Sequence, residues 1–229
     1  MKNKIAIIPV KGHITSEEFL PISLPFLRTV PSNKIIEYME KARKEKVKGI
    51  IFDINSRGGN PFPSKEIAES IKELKNFGIY NVARIGEYGT SGAYWVASAC
   101  NYIVADELSR VGSIGVLGME IDISEFLQRQ GIKYGILTSG KYIDKLHEYF
   151  TEEIRKNRDL SESVVEQLAH GRSYLGEEAK KLGLIDQLGR KREAIEVISK
   201  QARVSNFDII DYDKEFEKMY VEFKEMKYR

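Results

Sequence analysis

Cysteine, tryptophan and histidine are nearly absent from this 229-residue chain, at one, one and three. The single cysteine, Cys100, excludes an intrachain disulfide, and its small and apolar surroundings, "VASACNY", read as a buried packing position. With no paired cysteines, no His-Glu-x-x-His and no glycine-rich phosphate loop, nothing in the sequence calls for a metal or another cofactor. Excess charge is missing too: 36 lysines and arginines face 34 acidic residues, a net charge of +2, which gives no electrostatic case for nucleic acid or an anionic membrane as partner. Long hydrophobic runs are absent. "MKNKIAIIPVKG" returns to charge well short of the ~20 apolar residues of a membrane span, and "FLPISLPFL" (19–27) is broken by two prolines, which suits a surface loop or an oligomer contact. The expectation is a cytoplasmic chain with no membrane span. What remains is ordinary for a globular protein: 42% hydrophobic and 10% aromatic residues, enough for one sizeable domain.

The hydrophobic pattern alternates in type. "KIAIIPV", "KGIIFDI", "YNVARIG" and "YIVA" are short β-branched runs that predict strands. Between them, "NKIIEYMEKARKEKV", "SKEIAESIKELKNFG" and "SGAYWVASACN" have helical spacing or composition, the second closed by Gly78. "EYGT" reads as a turn, "GSIGVLG" as another short strand, "ISEFLQRQG" as a helix and "KYGILTS" as a strand. This order predicts one α/β domain with a largely parallel sheet over 1–141. From 142 to 229 the pattern becomes helical, and this part is expected to extend the same domain and to supply an oligomer contact. The tail "KEFEKMYVEFKEMKYR" carries one apolar stripe, at Phe216, Tyr220 and Phe223.

Two stretches could carry chemistry. In "GTSGAY", Ser91 stands between a Gly-Thr turn and a helix, where a hydroxyl can be exposed at a sharp turn and the next backbone N–H is free to bind an oxyanion. The same placement suits a plain helix cap. In "INSRGGN", two glycines directly after a predicted buried strand let a ligand approach the backbone closely, which suits the other half of an oxyanion hole or an ordinary strand-to-helix turn. The loop after Ile54 and the turn before Ser91 should lie at corresponding ends of neighbouring parallel strands, where such folds place their sites.

The succession "IAIIPVKGHI", "IIFDINSRGG", "EYGTSGAYWVASACNYIVAD", "VGSIGV", "GIKYGILTSGKY" and "GRSYLGEEAKKLGLIDQLG" closely resembles the signal peptide peptidase A family of serine proteases, peptidase family S49. The resemblance runs from about Lys4 to Ile198. It implies a ClpP/crotonase-like α/β fold of repeated β-β-α units with a helical C-terminal part, and hydrolysis of peptide bonds in peptides or membrane-protein fragments by a Ser-Lys dyad. Ser91 takes the nucleophile's place, and Gly58, Gly59 and Gly92 take places in the oxyanion hole. It also implies a homo-oligomer, in which a neighbouring subunit can contribute the lysine.

The chain departs from the family pattern at three places. "NSRGG" replaces Asp-Ser-Pro-Gly-Gly, with Asn55 and Arg57 as the changes, and the sequence begins almost at the first strand where family members typically carry an N-terminal membrane anchor. Where the family has Ser-Gly-X-Tyr-Lys-Asp, this chain reads "SGKYID", which puts Ile143 in the register of the basic lysine. Lys141 and Lys145 are two residues either side, a shift of ~6.6 Å in an extended chain, or an i, i+4 pair if a helix starts near Tyr142. Lys141, after the apolar "ILTSG", is the better placed for burial and a lowered pKa; Lys145 sits beside Asp144 and His147. No histidine lies between Ser91 and Lys145, so a Ser-His-Asp triad of the ClpP type is not expected, and His147 reads as part of a solvated helix face. The other reading is an inactive member that binds peptides or scaffolds a partner.

Overall fold

The computed structural model describes residues 2–17, 28–116 and 142–214. "FLPISLPFL", the last two residues of the predicted strand "GSIGVLG", the predicted elements "ISEFLQRQG" and "KYGILTS", Lys141 and all but the first residue of the C-terminal tail lie outside these residues.

In chain order the strands are β1 (Asn3–Lys11), β2 (His13–Thr15), β3 (Thr29–Pro31), β4 (Gly49–Ser56), β5 (Tyr80–Thr90), β6 (Tyr102–Ala105), β7 (Arg110–Gly112), β8 (Ser173–Leu175), β9 (Gln187–Leu188) and β10 (Phe207–Asp211). The helices are α1 (Ser32–Lys44), α2 (Pro61–Glu73), α3 (Gly92–Ser98), α4 (Tyr142–Arg158), α5 (Glu162–Leu168), α6 (Gly176–Lys181) and α7 (Lys191–Gln201). The main sheet runs β10-β1-β4-β5-β6-β9 and all of these pairs are parallel. β7 joins the end of β5 in parallel and carries β8 antiparallel, while β2 and β3 form a separate parallel pair.

Strand periodicity sorts the core into two layers. Ala6, Ile8 and Val10 of β1, Ile50, Phe52 and Ile54 of β4, and Ala83 and Ile85 of β5 face one cluster, which also takes in Ile35, Ile67, Tyr94, Phe150, Ile154 and Leu184. Their alternates Ile5, Ile7, Ile51, Val82 and Val104 face the other way, against Ala194 and Ile198 of α7. Phe150 and Ile154 bring α4 into the same core as the β4–β5 pair. Buried on both faces, these strands read as continuous apolar runs, which is why they were legible.

Two local readings differ. "EYGT", expected as a turn, continues β5, because Tyr88, Gly89 and Thr90 pair with Arg110, Val111 and Gly112. The β4–β5 register shifts between Ile54 and Ser56, and this irregularity lets the strand run on. The expected strand at "GSIGVLG" gives way at its start, since Gly112 (φ 93°) and Ser113 (φ 52°) take left-handed conformations that end β7. Gly78 does close the helical segment after α2, at φ 65°. Among the described residues, no helix is long and apolar enough to cross a membrane.

Candidate active site

Parallel pairing of β4 with β5 sets Ser56 beside Gly89, so the two glycine-bearing turns emerge side by side at the carboxyl end of the sheet. Arg57, Gly58, Gly59 and Asn60 lead from β4 into α2, whose first residue is Pro61. Thr90 and Ser91 lead from β5 into α3.

Ser91 occupies the position before α3, yet its side chain makes no capping hydrogen bond. The backbone does that work: the Ser91 carbonyl accepts from the amides of Tyr94 (2.8 Å) and Trp95 (3.0 Å), and the Ser91 N–H donates to the Gly112 carbonyl at 2.8 Å. Its φ of 53° and ψ of −130° are unusual for a residue with a side chain and cost about 1–3 kcal/mol. The half-buried hydroxyl is thus held at a sharp strand-to-helix turn and is not used as a cap.

The three glycines play different parts. Gly58 has φ 106°, and a β-carbon there would lie 2.9 Å from Ser91 Cβ, the Gly92 nitrogen and the Thr90 carbonyl oxygen. Its N–H donates to Ser56 Oγ at 3.0 Å, so Gly58 permits close approach but has its own amide engaged. Gly59 is bridged to Ile14, with the flanking groups bonded: Ile14 N–H to the Gly58 carbonyl (3.0 Å) and Asn60 N–H to the Ile14 carbonyl (2.9 Å). That pattern turns the Gly59 N–H away from β2, and its nitrogen lies 3.4 Å from where a β-carbon on Gly92 would stand. Gly92 opens α3, so its N–H has no acceptor within the helix. Among the described residues no acceptor engages the Gly59 or Gly92 N–H. Two unengaged amides therefore line the same cleft as Ser91, an arrangement that can bind a developing oxyanion.

These groups open on a cleft of about 760 Å³, of a size that takes extended chain or small-molecule ligands. One wall is apolar: Trp95 of α3 stacks on Phe150 of α4 with ring centroids 4.8 Å apart, and Leu146 and Ala169 lie alongside. Cys100, at the far end of α3, is buried, and burial raises its thiol pKa well above the ordinary range.

The proposed proton acceptors do not all reach this cleft. Lys141 lies outside the described residues. Lys145 is exposed on α4 and does not line the cleft, and Ile143 in the first turn of the same helix is 44% exposed. The face of α4 turned to the cleft carries Leu146, His147 and Phe150 instead. Sequence reasoning missed a further feature: all three histidines of the chain, His13, His147 and His170, line this cleft. Burial holds the His13 imidazole below its ordinary pKa. The signal for His147 was present in the spacing, since 147, 150 and 154 share one helix face and two of the three are deeply buried. Among the described residues no cluster of His, Cys, Asp or Glu is suited to hold a metal ion.

Comparison with known proteins agrees with the geometry. The model of "Peptidase family S49" matches residues 74–146 and 141–205, together more than half of the chain. A protease-named protein of Methanocaldococcus jannaschii is 30% identical over 202 residues, covering 78% of this chain and 63% of that one. Protease 4 of Haemophilus influenzae is 28% identical over 214 residues, with 84% and 34% covered. The chain thus spans between about a third and somewhat under two thirds of the length of these curated relatives. Among solved structures, a variant of the 1510-N membrane-bound stomatin-specific protease in complex with a substrate peptide superposes with a TM-score of 0.66 at 17% identity, covering 92% of both chains. ClpP1 of Listeria monocytogenes gives 0.56 at 13% identity, covering 82% of this chain and 94% of that one. At these identities the structures establish a shared ClpP-like fold.

Proposed function

The chain belongs to peptidase family S49, and from that premise we propose that it is a serine endopeptidase of the signal peptide peptidase A type acting on peptides or membrane-protein fragments. The observation that carries this reading is the uncapped Ser91 hydroxyl at a left-handed turn, in the same cleft as the unengaged amides of Gly59 and Gly92. Ser91 Oγ attacks the scissile carbonyl carbon while its proton passes to a base; the two amides hold the oxyanion. The base then protonates the leaving amine, and water hydrolyses the acyl-enzyme. Gly58 serves by its backbone conformation.

For the base we assign Lys141, in a Ser-Lys dyad. Ile143 cannot accept a proton, and exposure of Lys145 away from the cleft favours the lysine on the other side. A second acceptor is favoured by one specific observation: His147 stands one helical turn after Ile143 and lines the cleft. We further assign the chain to a homo-oligomer, with the part from residue 142 on, whose β8, β9 and β10 join the main sheet, as an extension of the core and a subunit contact.

A fluorophosphonate probe and a quenched peptide substrate test this reading together. Ser91→Ala should abolish labelling and hydrolysis, Lys141→Ala should reduce both by at least about a hundredfold, and Lys145→Ala should leave them intact. Loss in His147→Ala but not in Lys141→Ala would move the base to the histidine. Persistence of hydrolysis in Ser91→Ala would sink the nucleophile, and a parent chain that never labels would be a peptide-binding member without catalysis.

A further inference from the structure

The cleft does not share the charge balance of the chain. Lysines plus arginines and acidic residues number 36 and 34 overall, yet among the described residues every ionisable side chain lining the cleft is basic: Arg57, His13, His147 and His170. No aspartate or glutamate is among them. At neutral pH the permanent charge is that of Arg57, which stands immediately before the two glycines.

Arg57 is also held in place. Its guanidinium lies 4.4 Å from the centroid of the Tyr88 ring, and its Nη2 donates to Tyr88 Oη at 2.9 Å. Arg110 lies 5.9 Å from the same ring centroid. The pairing of β5 with β4 and β7 explains this arrangement, since Tyr88 stands opposite Arg110 and one residue before Gly89, the partner of Ser56. Stacking fixes an arginine's plane while leaving N–H groups free to bind a carboxylate in a fork. Neither Arg57 nor Arg110 forms an ion pair among the described residues, whereas Arg84, Arg155, Arg158, Arg172 and Arg190 all do. Two like charges beside one ring, both without a carboxylate, raise the local potential for an incoming anion.

Reach fixes where such an anion would lie. Arg57 precedes Gly59 by two residues, which sets their backbones at most ~6.6 Å apart, the span of fully extended chain, and the arginine stem adds several ångströms of reach. Resting on the peptidase reading, we propose that Arg57 is a specificity-determining residue that, backed by Arg110, selects peptides with an acidic side chain close to the scissile bond. The substrate class is therefore an acidic peptide segment, docked with its carboxylate on the Arg57–Tyr88 stack and its scissile carbonyl toward the Gly59 and Gly92 amides.

The test uses matched peptides with Glu, Gln or Lys at each of the positions flanking one cleaved bond, with kcat/KM as readout. At one flanking position the parent protein should favour Glu over Gln about fivefold, the scale of an exposed but oriented ion pair, and added salt should shrink the ratio. Arg57→Gln should bring it to unity, and Arg57→Glu should turn it toward Lys. In parallel, fluorescence anisotropy measures binding of the same labelled peptides to Ser91→Ala. Hydrolysis without a Glu preference, or a preference that survives in Arg57→Gln, overturns the proposal and leaves the peptidase reading standing. If the parent hydrolyses nothing but Ser91→Ala binds the Glu peptide more tightly in an Arg57-dependent way, charge selection stands and the peptidase reading falls. Equal binding of the Glu and Gln peptides, with no hydrolysis, overturns both.

Discussion

At Gly59 one missing methyl group decides whether the turn can exist. A β-carbon there would run into the backbone of Ile14, which can move only by breaking the bonds that join β2 to the turn. Gly59→Ala is therefore expected to lower stability by about 2 kcal/mol and to abolish probe labelling of Ser91. Urea denaturation and labelling on the same sample check both; a variant as stable and as reactive as the parent would contradict the geometry. The sequence made these residues legible as chemistry, because a Gly-Gly pair after a buried strand and a serine before a small-residue helix are local signals. It did not distinguish the glycines. Which amide is free and which is engaged depends on Ser56 Oγ and on Ile14, a partner far away in the chain. Nor did it free Ser91 from the capping reading, which only the φ of 53° and the unused side chain remove.

Among the elements, α4 couples the helical part to the cleft. It enters the core by Phe150, only 2% exposed and stacked on Trp95, and by Ile154. Phe150→Ala should cost about 3–4 kcal/mol and open the wall that carries His147. Hydrogen exchange should then show loss of protection in α4 and in α3, with the β1–β4–β5 strands retained at low denaturant. If protection fell evenly everywhere, α4 would be integral to the sheet's own stability and not a separable wall. Helical character after residue 142 is legible in the sequence, but the order of residues along the chain does not reveal that His13, His147 and His170 come together at the cleft. The turn at "EYGT" failed for a related reason. Local Gly and Thr argue for a bend, and pairing with β7 overrides them.

For the molecule as a whole, Cys100 offers a reporter. It is buried at the end of α3, and burial disfavours its thiolate. Nearby, Arg158 donates to both Asp186 carboxylate oxygens and to the Gly183 carbonyl, and Tyr94 Oη donates to the Leu184 carbonyl. These bonds tie α4 and the segment before β9 to α3. Alkylation of Cys100 in increasing urea is expected to follow the circular-dichroism transition, one event for sheet and helices alike. Alkylation that clearly precedes it would show that the α3 end opens by itself. The parallel α/β class was readable because strands buried on both faces have unmixed apolar composition; the edge strand β10 was not, since two of the five residues of "FDIID" are aspartate.

That edge strand has a consequence for how the protein comes into being. β1 lies between β4 and β10, and Lys2 forms an ion pair with Asp208, 206 residues along the chain. During synthesis at about 5–20 residues per second, β1 waits roughly 10–40 s for its second neighbour. Throughout that interval a strand rich in isoleucine presents an open edge, the surface on which nascent chains aggregate. Of the described strands β10 is the last to be synthesised, and its arrival is what closes this edge of β1.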